Sequence, residues 1–191
     1  QSAALPSALK ASLLRLAARQ SPAAEQKTAL ADAAQLGDAL AWDEIACSAE
    51  QAQDFATAAS SYAKAAETRR DPWLRSEALR LSARAYLQAG QDEAAQRALV
   101  DALSAAAMTD GAHDGVSYLL LERVCRKLGR PSDLLKLWRK QGETSDGQGV
   151  YAFLYAADLQ LRSAEGNAGR EAAIAELQAA LKVRPDFLEA A

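Results

Sequence analysis

The stretch that decides the fold runs from Leu40 to Pro72, LAWDEIACSAEQAQDFATAASSYAKAAETRRDP. Apolar and small residues fall at Trp42, Ile45, Ala46 and Ala49, break at Gln53-Asp54, and resume at Phe55, Ala58, Tyr62 and Ala65. Steps of three and four place such residues on one face of a helix. The pattern therefore predicts two amphipathic helices joined by a tight polar turn. A second stretch repeats the arrangement: Leu79, Ala83 and Tyr86, a stop at Gly90, a cap at Asp92, then Ala95, Leu99 and Ala102. Asp71-Pro72 ahead of it has the order of a capping residue followed by a first-turn proline.

Working outward, Leu5 to Arg19 predicts a first helix with its apolar face at Leu9, Leu13, Leu16 and Ala17. Ser21-Pro22 reads as a cap and first-turn Pro for a partner helix that ends near Leu36 and is closed by Gly37. Beyond the central pair, Tyr118, Leu121 and Cys125, then Gly129, Pro131, Leu134 and Trp138, predict a further hairpin. Val150 to Arg162 and Arg170 to Leu181 predict the last, which stops at Pro185. Residues 141–149 are turn-rich, and 185–191 resemble the opening of another helix. The expected hairpins cover roughly 5–36, 39–70, 73–106, 114–141 and 148–183.

The order of residue types resembles the tetratricopeptide repeat, a helical hairpin of about 34 residues. Its Trp, Leu-small pair, Asp-aromatic turn, Ala, aromatic, Ala and closing Pro fall to Trp42, Ile45-Ala46, Asp54-Phe55, Ala58, Tyr62, Ala65 and Pro72. Leu79, Ala83, Tyr86, Gly90, Ala95, Leu99 and Ala102 match in the next repeat. Departures are Gln53 for Gly, Ala49 for Tyr, and Glu122 where a small residue normally lets two helices touch. Trp42 and Leu79 stand 37 residues apart, so a longer loop is expected around Arg69 to Pro72. The resemblance implies an all-α, right-handed α-solenoid of about five hairpins, residues 1–191 forming a single array. The first helix of each pair would line the concave side. Trp42 is expected to be buried beside Tyr62. Gln1 at one end and Phe187-Leu188 at the other suggest a segment of a longer repeat protein.

Ala-rich composition favours helix and close helix approach. The net charge of −3 argues against a general nucleic-acid or anionic-membrane binder. Cys47 and Cys125 occupy predicted apolar faces and read as buried structural thiols, with no metal-ligand spacing. The single histidine, His113, lies between Asp110 and Asp114 in a turn that lacks a calcium-loop pattern. Asp43, Glu44 and Glu50 read as a solvated helix face. No catalytic order or phosphate cradle is present, so the expectation is a non-enzymatic protein without a cofactor or metal.

The functional expectation rests on the first-helix faces. Arg80 and Arg84, with Glu77 and Gln88, lie on one; Arg123, Arg126 and Lys127 lie on the next. Arg84 and Arg123 occupy the same slot counted from Gly90 and Gly129, and Arg162 falls near that slot in the last hairpin. Guanidinium groups suit carboxylates, which predicts a groove recruiting a partner protein, a peptide with an acidic surface, or an anionic ligand. The Ala- and Arg-rich style resembles periplasmic arrays of bacterial outer-membrane exopolysaccharide exporters. That likeness implies a cell-envelope scaffold in the periplasm, with the cytoplasm as the alternative, that recruits a polysaccharide-modifying enzyme. Alternatives are a peptide-sensing regulatory domain and a subunit that self-associates through an exposed terminal repeat.

Overall fold

The computed structural model describes residues 5–109, 114–144, 149–163 and 167–186. Among them are ten α-helices and no strand. The helices are α1 (Ser7–Ala18), α2 (Ala23–Gln35), α3 (Ala39–Gln51), α4 (Phe55–Thr68), α5 (Pro72–Gln88), α6 (Asp92–Ala106), α7 (Gly115–Lys127), α8 (Pro131–Thr144), α9 (Val150–Ser163) and α10 (Asn167–Val183). The chain divides into two compact units, Gln1–Ala98 and Leu99–Ala191, the division falling inside α6.

The turns explain why the helices stop where they do. Gln53, Gly90 and Gly129 have positive φ and follow the last turns of α3, α5 and α7; Gly37 does the same after α2. Each turn carries the paired hydrogen bonds of a left-handed helix end. In α3, Gln53 N–H donates to Glu50 O at 2.9 Å and Asp54 N–H to Ala49 O at 2.9 Å. In α5 the equivalents are Gly90 to Leu87 and Gln91 to Tyr86; in α7, Gly129 to Arg126 and Arg130 to Cys125. Aspartates then open helices by accepting otherwise unpaired N–H groups: Asp38 for α3, Asp54 for α4, Asp71 for α5 and Asp114 for α7.

Counted back from the left-handed residue, the caps of α3 and α7 stand fifteen residues away (Asp38 to Gln53, Asp114 to Gly129), and that of α5 nineteen (Asp71 to Gly90). The expected longer loop is therefore not there. Only Arg69, Arg70 and Asp71 separate α4 from α5, and the additional residues form one more turn of helix.

The first unit packs through alanine. Ala46, Ala49, Ala58, Ala59, Tyr62 and Ala85 form one cluster, and Ala18, Leu30, Ala33, Ala34 and Ala41 another. Without bulk beyond Cβ the backbones approach closely, and the buried Ser82 hydroxyl on α5 donates to Ala59 O of α4 at 2.8 Å. Trp42 is only part-buried. It lies against the Ala18–Ala41 cluster and against Ala65, Ala66 and Ala78, with Lys64 Nζ 4.6 Å from its ring centre, while Tyr62 belongs to a different cluster. The wide indole is thus spread along a seam rather than buried in it.

In α1 the inward residues are Ala11 and Ala18, with Leu14 packed beside them, and the expected face of Leu9, Leu13, Leu16 and Ala17 is exposed. Two stripes on α1 share a helical period. Arg15 selects between them by bonding Asp38 and Glu44 of the α3 region. Ser21 does not cap α2: its hydroxyl donates to Ala17 O, and α2 starts after Pro22.

The second unit has a core of larger side chains. Trp138 is fully buried, Tyr118 stacks on Tyr155 at 4.4 Å, and Leu99, Leu121, Val124 and Leu134 are enclosed. Gly142 of α8 leaves room for Phe153 of α9, whose ring would stand 2.4 Å from an added Cβ. The last helix begins at Asn167, three residues before the expected start. His113, Asp110 and the expected helix opening at Phe187-Leu188 lie outside the described residues.

Candidate functional site

The five cations expected to line a groove fall on two helices. Arg80 and Arg84 are on α5 of the first unit; Arg123, Arg126 and Lys127 are on α7 of the second. Their surroundings differ. Arg84 and Arg123 are exposed, each six residues before a left-handed glycine, and Cys47 holds the same slot before Gln53. Cys47 is exposed rather than the buried thiol expected, its Sγ at the rim beside the Tyr62 hydroxyl of α4; Cys125 is buried. Arg80 is mostly covered and lies 3.9 Å from Glu77. Arg126 binds Glu122 at 2.7 Å, and with Lys127 it sits in the last turn of α7, where the helix dipole favours cations.

Glu122 is the residue whose role the sequence left open. It stands seven before Gly129, where the other two repeats have Ala46 and Ala83, and it is buried. A buried carboxylate is costly unless it is paired. Arg162 of α9 grips it with both nitrogens, Nη1 to Oε1 at 3.0 Å and Nη2 to Oε2 at 3.1 Å, while Arg126 adds a third contact. Asp158 accepts from Arg162 Nε at 2.8 Å. The hydrogen bonds from Arg162 hold the Glu122 carboxyl below its ordinary pKa despite burial, and the same bond raises that of Arg162. Arg162 therefore knits α7 to α9 and is not positioned as a ligand cation. On the partner helices, Arg139 of α8 donates to buried Glu176 of α10, with Nε–Oε1 2.7 Å.

Ion pairs of the first unit tie α3 to the end of α1 and to the α4–α5 connection. Arg15 and Arg19 meet Glu44, and Arg69 meets Asp43. Burial raises the Asp43 carboxyl against the pull of Arg69, and Glu77 adds to the rise; its Oδ1 is buried without a hydrogen-bond partner. Glu50 accepts from the Tyr62 hydroxyl at 3.2 Å, and Cys47 Sγ lies 3.5 Å from the same oxygen. Asp43, Glu44 and Glu50 are thus not a merely solvated face; each is part-buried and partnered.

A cleft of about 370 Å³ lies between α2, α3 and the start of α4, bordered by Lys27, Leu30, Ile45, Ala49, Asp54 and Thr57. Among the described residues no group of three or more His, Cys, Asp or Glu side chains is placed to hold a metal, and no helix is long and apolar enough to cross a membrane. No protein-family model matches this chain, and no curated protein matches its sequence.

Proposed function

We propose that this chain is a helical-repeat scaffold of the tetratricopeptide type that binds acidic protein segments through an exposed slot of its first helices, Arg84 in one unit and Arg123 in the other. The observation that carries the reading is that Arg84 and Arg123 are exposed, have no ion-pair partner among the described residues, and hold the same register on α5 and α7. A guanidinium committed to internal carboxylates through all three of its nitrogens, as that of Arg162 is, has few donors left for a ligand. Arg84 and Arg123 keep all of theirs, and a planar fork of N–H donors fits a carboxylate better than a hydroxyl or an amide. The overall charge of −3 makes a locally cationic slot selective rather than sticky, because the rest of the surface repels a general polyanion.

The test is Arg84→Glu with Arg123→Glu, using capture of acidic partners from a bacterial envelope extract followed by affinity measurement on the purified pair. Each exposed contact contributes about 0.2–1 kcal/mol, and more where the partner excludes water, so the double reversal should weaken binding about tenfold with the helical melt unchanged. Arg97→Glu, an exposed arginine on α6, is the control. Equal loss with the control would reduce the effect to net charge and end the reading.

A further inference from the structure

The stripe of α1 that Arg15 leaves outward is a second surface, separate from Arg84 and Arg123. Leu9, Leu13 and Leu16 lie within about 60° of one another around the helix axis, and Leu5 extends the stripe ahead of the first turn. All four are between 47% and 56% exposed. α1 contains no acidic residue, and the side chains beside the stripe, Ala8, Ser12 and Ala17, are small. Of the two cations at its edges, Arg19 is held by Glu44 at 2.6 Å and Lys10 is exposed.

A cleft of about 260 Å³ opens next to the stripe, lined by Ala8 and Ser12 of α1 together with Leu36 and Leu40 on either side of the α2–α3 turn. Leu36 and Leu40 are exposed as well. A row of leucines with small neighbours and an open hole beside it has the parts of a knobs-into-holes seam, in which a side chain of one helix enters a hole of the facing one. The six leucines present on the order of 500 Å² of apolar surface, and Ala8, Lys10, Ser12 and Ala17 bring the footprint toward the roughly 800 Å² per partner of a standard specific interface.

We infer that α1 is a self-association face, on which two copies of this chain pair stripe against stripe about a twofold axis. Complementarity selects the occupant. Among the described residues no other helix exposes more than two large apolar side chains, the pairs being Trp73 and Leu74 on α5 and Val116 and Leu119 on α7. A leucine row of this length therefore finds its match on this chain only in the same stripe of another copy. That makes the contact isologous and closes it at two. The stripe has no donor or acceptor for a peptide carboxylate or a sugar hydroxyl. An anionic membrane is repelled by the net charge of −3, and Arg15 and Arg19 are spent on Asp38 and Glu44.

The test is sedimentation equilibrium of the full chain from about 1 to 300 µM, with a monomer–dimer equilibrium of dissociation constant about 50 µM as the expected result. Leu9→Glu and Leu13→Glu should each weaken it about tenfold or more, because the seam offers a carboxylate no partner, and the double variant should stay monomeric. Both side chains are already half exposed, so the helical melt should hold; if it falls, Leu9→Ser/Leu13→Ser takes the place of the glutamate pair. Leu119→Glu and Ile174→Glu, similarly exposed on other helices, should leave the equilibrium unchanged. So should Arg84→Glu/Arg123→Glu, an arm that separates this face from the site proposed above. The dimer should also withstand a rise from about 0.05 to 0.5 M NaCl, which screens ionic contacts and not apolar ones. The inference is overturned by a monomer at about 300 µM, by growth beyond two copies, by dissociation in salt, or by a dimer that survives the double variant. It is equally overturned if Leu119→Glu weakens the dimer as much as Leu13→Glu, or if phosphatidylcholine or phosphatidylglycerol vesicles bind the stripe while the chain stays monomeric.

Discussion

The two units solve one packing problem with different side chains. In the first, the slot where a first helix meets its neighbour holds Ala46 and then Ala83, and the cores around them are alanine. In the second the same slot holds Glu122, and Trp138, Tyr118, Tyr155 and Phe153 fill the space that longer side chains create. Alanine packing obtains its dispersion contacts from backbone proximity and loses little side-chain entropy on folding. Aromatic packing buries more area per residue but needs shape complementarity, supplied here by Gly142 against Phe153. The difference also moves the ion pairs. In the second unit the residues Glu122 and Glu176 are buried whole and bind arginine across helices, whereas in the first Asp38 is only part-buried as a residue although its carboxylate, bound to Arg15, is as covered as that of Glu122.

The largest test of that contrast compares two tryptophans. Trp138→Ala removes a side chain with no solvent exposure and should cost about 3–5 kcal/mol. Trp42→Ala removes one that is part-buried on an alanine seam and should cost about 1–3 kcal/mol. Urea melts of the two variants measure both values. Equal costs would mean that the first unit depends on its aromatic as heavily as the second, and the contrast would fail.

The next test concerns Glu122. Arg162→Ala leaves a buried carboxylate with Arg126 as its remaining guanidinium and should cost about 2 kcal/mol, less than a fully buried pair because Arg162 is 43% exposed. Arg162→Ala with Glu122→Ala restores the alanine found in the other two repeats and should recover most of that loss. A double variant no better than the single would show that the charge was not the cost. The same carboxylate sets an acid response. Its folded pKa lies below its ordinary value near 4.5, so its contribution is full above that pH and is lost as pH falls through the folded value. Asp43 has the opposite sign: its raised folded pKa makes the first unit gain stability as acid protonates it. Trp138 emission, in a Trp42→Phe/Trp73→Phe background, should therefore report acid loss of the second unit that Glu122→Gln flattens.

Helix order and turn positions were legible because local rules set them. Asp caps, Gly90, Gly129 and steps of three and four act within a few residues. What the sequence did not settle depends on partners far along the chain. The inward stripe of α1 is chosen by Arg15 reaching Asp38 and Glu44, and two equally periodic stripes cannot be separated without that contact. The spacing from Trp42 to Leu79 shows that residues have been added, but loop and helix turn look alike in a count. In sequence the cations share one basic face, and ion pairing divides them: Arg126 and Arg162 serve Glu122, while Arg84 and Arg123 have no ion-pair partner among the described residues. An acidic residue in a slot otherwise held by alanine was the available signal, since a carboxylate forced inward must find an arginine.

The smallest expected effect sharpens the comparison at its turns. Gln53 occupies the left-handed position with φ 58°, where α5 and α7 have Gly90 at 72° and Gly129 at 67°. A side chain there sets Cβ against its own carbonyl, a strain of about 1–2 kcal/mol that glycine avoids. Against this, glycine at position 53 would enlarge the conformational entropy of the unfolded chain, which costs about 0.4–1 kcal/mol. Relief of the strain outweighs that entropy, so Gln53→Gly should stabilise the first unit by a few tenths to about 1 kcal/mol. The reverse changes, Gly90→Gln and Gly129→Gln, should destabilise by a similar amount, since neither glycine has a neighbour within 4 Å of an added Cβ and strain is the sole penalty. Urea midpoints for the three variants decide between the two effects. If Gln53→Gly lowers the midpoint, the Gln53 side chain contributes more to this turn than its backbone costs, and the three turns are not equivalent.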